Sequence, residues 1–162
     1  MKKIVIIALL SFVPFLAIGQ VKQINDILDK YEKNKDVESI LISPELLQMA
    51  GESQMNQPTK DLLSKLTELR ILSVKSSHKE NGVSVAQLLR QDLDRVISQE
   101  NMSRILKIRD GEELMEMFKT KEDKGALLFL NSKPGEFTVI SIFGKIDPSV
   151  VNAAISGEIN IK

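Results

Sequence analysis

The stretch from Met102 to Phe143 constrains the fold most. Arg104 to Arg109 alternates apolar and charged residues, and Asp110-Gly111 is a hairpin signal of the type I′ kind. Glu113 to Thr120 continues beyond it, and Ala126 to Asn131 is strongly apolar. Lys133-Pro134-Gly135-Glu136 then places Pro and Gly where a type II turn takes them. Phe137 to Phe143 is β-branched and aromatic. Strands joined by tight turns must lie side by side, so this region is expected to form a four-strand antiparallel meander. Glu112 to Phe118 also suits a helix, because Glu and Met favour one; the Asp-Gly turn tips the reading to strand.

The preceding region alternates helix and strand. Val21, Ile24, Ile27, Leu28 and Tyr31 fall at helical spacing, and Val37 to Ser43 reads as a short strand. Ser43-Pro44-Glu45 starts a helix, with Ser43 as its cap, Leu46, Leu47 and Met49 as its apolar side, and Gly51 as its stop. Glu52 to Pro58 reads as a loop, and Thr59 as the cap of a short helix holding Leu62, Leu63 and Leu66. Leu69 to Val74 is a second strand, followed by a polar loop from Ser76 to Gly82. Ser84-Val85-Ala86-Gln87 has the form of a capping box, flanked by a Val83–Leu88 staple. Val85, Leu89, Leu93, Val96 and Ile97 line the helix that follows, to Ser98. Asp147-Pro148 opens a last short helix lined by Val150, Val151, Ala154 and Ile155, ending at Gly157. The expected class is α+β: a single mixed, mainly antiparallel sheet of about six strands with helices packed on it.

The chain has 162 residues with 22 basic and 22 acidic side chains. That balance excludes a strongly basic nucleic-acid binder and an acidic disordered tail. With no cysteine there is no disulfide, no thiolate metal site and no cysteine nucleophile. Lys2 and Lys3, the apolar run Ile4 to Ile18 and the small-x-small sequence Ala17-Ile18-Gly19 together have the pattern of a secretory signal peptide. The run is shorter than the roughly 20 residues a membrane span needs. Residues 1–19 are therefore expected to be a leader cleaved near Gly19/Gln20, leaving 20–162 as one periplasmic or secreted domain. No cysteine follows the run to take a lipid anchor. Dropping Lys2 and Lys3 leaves an acidic excess of two, which offers no attraction to nucleic acid or anionic lipid.

Three segments carry a family resemblance. They are Val37-Glu38-Ser39-Ile40-Leu41-Ile42-Ser43-Pro44-Glu45-Leu46-Leu47, Ile105-Leu106-Lys107-Ile108-Arg109-Asp110-Gly111, and Val139-Ile140-Ser141-Ile142-Phe143-Gly144-Lys145-Ile146-Asp147. With the leader they resemble the bacterial envelope family known as domain of unknown function 4252, common in Bacteroidota. The resemblance implies an exported α/β domain and carries over no catalytic residue. Members often have an acidic residue after the strand-end glycine; this chain has Lys145.

The inventory for chemistry is thin. His78, the one histidine, lies in Ser76-Ser77-His78-Lys79-Glu80, where Glu80 could orient an imidazole and Ser76 or Ser77 could serve as nucleophile. An exposed loop histidine is the plainer reading, and no nucleophile-elbow motif supports the other. Met115 and Met117 share a strand face and could meet a soft ion, with Met49, Met55 and Met102 as further thioethers; core packing is the plainer reading. Asp92 and Asp94 flank the buried Leu93 and read as a solvated helix surface, with Arg90 and Asp94 paired at i,i+4. Lys121, Glu122, Asp123 and Lys124 read as a charged hairpin loop. No residue is assigned as catalytic, cofactor-binding or metal-ligating. The expected role is a non-enzymatic envelope protein that binds a protein partner. The alternatives are a small-ligand-binding domain and, behind it, a hydrolase using His78.

Overall fold

The computed structural model describes residues 19–52 and 57–156. Most of the proposed leader, Met55 and the segment from Gly157 to Lys162 lie outside the described residues.

In chain order the elements are α1 (Gln20–Glu32), β1 (Val37–Ile42), α2 (Pro44–Glu52), α3 (Gln57–Ser64) and β2 (Leu66–Lys75). A two-residue hairpin follows, β3 (Lys79–Glu80) and β4 (Val83–Ser84), then α4 (Val85–Gln99). The chain continues as β5 (Ser103–Asp110), β6 (Glu113–Lys119), β7 (Lys124–Lys133), β8 (Glu136–Lys145) and α5 (Pro148–Ser156). Six strands form one sheet in the order β1-β2-β8-β7-β6-β5. The meander β5–β8 makes up four of its six strands, and every pairing is antiparallel, so no parallel pair occurs among the described residues. Glu112–Phe118 is turn and strand, not helix.

Local signals worked where a turn or a cap had a backbone job to do. Gly135 takes φ +85° in the Pro134-Gly135 turn, which only a residue without Cβ adopts easily. Asp147 caps α5, its Oδ1 accepting the Ser149 amide at 3.0 Å and the Val150 amide at 3.3 Å. Ser43 Oγ accepts the Leu46 amide at 3.3 Å.

Several expectations are corrected. Asp110 pairs with Glu113, so the central turn residues are Gly111 and Glu112, and the positive φ belongs to Gly111 alone. That is the II′ arrangement, with glycine first, not I′. Ser84 makes no side-chain cap; its hydroxyl donates to Ser76 O at 3.3 Å, because β4 runs straight into α4 and holds the hydroxyl against the hairpin. α2 continues through Gly51 to Glu52, and α3 starts at Gln57 rather than at Thr59. The loop from Ser76 to Gly82 holds part of the β3–β4 hairpin, turned by Asn81 and Gly82 at positive φ. Asn-Gly is the strongest short hairpin signal, so this one was present in the sequence.

The sheet is covered unequally. On one face α1 and α4 lie against Leu72, Val74, Ala126, Leu128, Leu130, Phe137 and Val139. Ile24 and Leu28 of α1 and Leu89 and Leu93 of α4 are fully buried there. On the other face α2, α3 and α5 bring Leu47, Leu62, Leu63 and Val150 against Leu69, Leu127 and Ile142. On this face Ile71, Ile140, Phe129 and Leu106 stay half-buried and Ile40 is exposed.

Candidate interaction surface

Strand periodicity sorts the residues of the half-covered face into three rows that run across the sheet. The first row, Ile42, Leu69, Ile142 and Leu127, pairs across neighbouring strands and lies under the helices. The second row is Ile40, Ile71, Ile140, Phe129, Met117 and Leu106, each directly opposite the next. Every member is apolar. Met117 is buried, Ile71, Ile140, Phe129 and Leu106 are half-buried, and Ile40 is 55% exposed. The third row is Glu38, Ser73, Thr138, Asn131, Met115 and Ile108. Its centre is polar: Ser73 donates to Glu136 at 2.6 Å and lies 3.4 Å from the Thr138 hydroxyl, while Asn131 Oδ1 is buried without a hydrogen-bond partner among the described residues. The second row is therefore a continuous apolar strip, six strands wide, between a helix-covered row and a polar one. Four of its six members are half-buried and one is exposed, so an apolar row stays partly open to solvent.

The polar clusters are structural. On the closed face Glu116 is almost fully buried on β6; one carboxylate oxygen accepts from Arg90 at 2.6 Å, the other from Arg104 at 3.3 Å. Burial pushes this carboxyl up, and the two guanidiniums, Arg90 foremost, bring it below the usual carboxylate range. Arg90 is held in turn by Asp94 at 2.9 Å. Asp92 was expected on a solvated surface but is only 18% exposed. It takes the Tyr31 hydroxyl at 2.9 Å and Lys30 at 2.8 Å, clasping α1 to α4. Burial, and then the Asp92 bond, raise the Tyr31 phenol well above its usual range. Arg70 ties β2 to α1 through Asp29 and also meets Glu68 at 2.5 Å.

The geometry closest to a catalytic constellation is one the sequence reading missed. Lys65 Nζ lies 2.7 Å from Ser149 Oγ and 2.8 Å from Asp147 Oδ2, while Ser149 Oγ donates to Asp147 Oδ1 at 2.6 Å. Lys65 and Ser149 line a cleft of about 530 Å³ together with Pro58, Thr59 and Leu62. A serine–lysine pair does chemistry when the amine has a free lone pair to take the hydroxyl proton. Here the amine is ion-paired with the Asp147 carboxylate, and the serine hydroxyl donates its proton to that carboxylate and not to the amine. The same Asp147 caps α5, and its carboxyl is held well below the usual range by Lys65 first and Ser149 next. The cluster fastens α5 to the end of α3.

The residues singled out in the sequence do not converge. His78 Nδ1 sits 3.0 Å from the Asp36 carbonyl, and the His78 carbonyl accepts the Val85 amide, so the residue staples the hairpin to the start of β1. Glu80 is turned to Asn34 at 3.5 Å. Met115 and Met117 share the half-covered face as expected, but Met102 is buried in the opposite core and Met49 is exposed on α2. Among the described residues no group of three or more His, Cys, Asp or Glu side chains is placed to hold a metal ion. Glu116 had a sequence signal: one carboxylate amid Leu114, Met115, Met117 and Phe118 on a strand needs a buried cation.

The model of the family described as domain of unknown function (DUF4252) matches residues 31–154, and the chain belongs to that family. No curated protein and no solved structure matches it.

Proposed function

We propose that this chain is an exported, non-catalytic module that binds another protein on the half-covered face of its sheet. The second row carries the reading: Ile40, Ile71, Ile140, Phe129 and Leu106 form an apolar strip, half-buried or exposed, with Met117 its one buried member. The partner is a protein helix with one apolar face. Helices already cover the adjoining row of the same face, so one more alongside them continues an existing layer. Export rests on the leader-like run up to Gly19 and fits a chain without thiols.

A photo-crosslinking residue at Phe129, and another at Gln91 on the exposed back of α4, test this in the cells that make the protein. The expected result is one stoichiometric adduct from position 129 and none from 91, with the adduct lost in Ile140→Asp. Equal labelling from both positions, or none from 129, overturns the reading. N-terminal mass spectrometry of the same sample tests export, with Met1 expected to be absent.

One observation favours the second reading, a small-ligand binder. A cleft of about 630 Å³ has Val21 and Phe143 as an apolar wall and Lys65, Lys124, Lys145 and Glu122 at its rim. A thermal-shift screen with amphiphilic anions separates the two, since a partner-binding face predicts no shift from any of them.

A further inference from the structure

The two edges of the sheet are built differently. β5 carries Arg104, Lys107 and Arg109 on its closed-face side, and a register irregularity falls between Arg104 and Leu106. Charges and bulges are the usual protections of a free edge. β1 has neither protection along Val37–Ile42: its one charged residue is Glu38, its register with β2 is unbroken, and it contains no proline. Ile40 and Leu41, on opposite faces, are 55% and 49% exposed. α2 follows at once and adds Leu46 and Met49, also exposed. These four apolar side chains lie within ten residues of sequence.

We infer that a second copy of this chain pairs antiparallel with β1 about a two-fold axis, joining the two sheets edge to edge. The symmetry restricts the register. A two-fold axis that makes neighbouring strands antiparallel stands perpendicular to the sheet, so each face of one copy continues as the same face of the other. Residues that face each other must therefore share a side, and their numbers must sum to an even value. Centring the axis on Ile40 sets Ile40 against Ile40, Ser39 against Leu41 and Glu38 against Ile42. No like charges face one another. Lys35 just before the strand and Glu45 just after it come to the same ends with opposite signs. Two copies of β5 paired by the same symmetry would bring three cations alongside three cations. The β1 contact sits at the small end of specific interfaces, about 1,000 Å² with α2 included, so micromolar association is expected.

Sedimentation velocity on the purified chain from about 1 to 200 μM covers the affinity range this interface size implies. The expected result is a mass that rises from one chain to two. Ile40→Lys and Leu41→Lys should stay monomeric throughout while unfolding at the wild-type midpoint, because both side chains point to solvent in the single chain. Ile108→Lys, on β5, should dimerise as wild type does. The absence of native cysteine makes a direct register test clean. Ile40→Cys should oxidise to a covalent dimer faster than Ser39→Cys. A chain that stays single at 200 μM, or a dimer broken by Ile108→Lys and not by Ile40→Lys, overturns the inference. Neither result touches the Phe129 crosslink, which reads the strip three strands in from that edge.

Discussion

The two faces of this sheet are made from the same six strands, yet they do different work. Under α1 and α4 Leu72, Val74, Leu128, Leu130, Phe137 and Val139 are all buried, and the charged groups beside them are closed into pairs: Glu116 with Arg90 and Arg104, Asp92 with Tyr31 and Lys30, Arg70 with Asp29. On the face of α2, α3 and α5 Leu69, Ile142 and Leu127 of the first row are buried, while the next row, equally apolar, is half-buried or exposed at every position but Met117. The lesson is that alternation in a strand reports two apolar sides but not how much of each is roofed. β7 shows it in consecutive residues. Leu128 faces α1 and α4 and is fully buried; Phe129 faces the other way and is only half-buried.

Those two neighbours give the largest expected contrast. Leu128→Ala should cost roughly 3–4 kcal/mol, since the fully enclosed site cannot collapse around the cavity. Phe129→Ala removes a larger side chain but should cost less, about 2 kcal/mol, because part of that ring already meets water. Urea unfolding of both variants checks the pair. Equal costs would mean that the strip is roofed as tightly as the closed core, which would remove the reason to assign it a partner.

Next in size is Glu116→Gln, expected to cost about 2 kcal/mol by leaving Arg90 without its buried counter-charge. The sign of the pH dependence follows from the direction of the shift. The carboxyls of Glu116 and Asp92 are lower in the folded chain than unfolded, so unfolding takes up protons. Their contribution is fully present above the ordinary carboxylate range, declines as the pH falls below it, and is lost as the pH falls through their lower folded values. Both groups belong to the closed face, so amides of α1 and α4 should lose hydrogen-exchange protection in acid before those of β7 and β8. In Glu116→Gln the acid sensitivity of α4 should shrink. An unchanged acid limb would place the titrating groups elsewhere.

Much of the fold was legible because local physics decided it. The Pro134-Gly135 turn, the Asp147 cap and the meander each needed only their own few residues. Ser84 was misread for a complementary reason: its motif is local, but β4 turns its hydroxyl towards Ser76, and no sequence spacing shows that. The exposure of Leu46 and Met49 was hidden too. Both fit an apolar helix side, but only Leu47 meets the sheet, because α2 covers the end of a face already filled by Leu69 and Ile142. The half-covered strip was the least legible part. Its members come from β1, β2, β8, β7, β6 and β5, and only register brings them into one row.

The smallest effect sharpens the same comparison at two serines. Ser43 Oγ caps α2, a helix that packs through few buried residues on the thinly covered face. Ser84 precedes α4, which buries Val85, Ala86, Leu89, Leu93 and Val96 on the closed face and makes no side-chain cap. Helices held by tertiary burial depend little on their ends; helices with less burial depend more. Ser43→Ala should therefore cost about 0.5–1 kcal/mol, visible as faster amide exchange in the first turn of α2. Ser84→Ala removes only a 3.3 Å bond to a carbonyl and should stay within about 0.5 kcal/mol of wild type. If Ser84→Ala proved the costlier of the two, the capping box would form in solution, and α4 would owe more to its own end than to the face it covers.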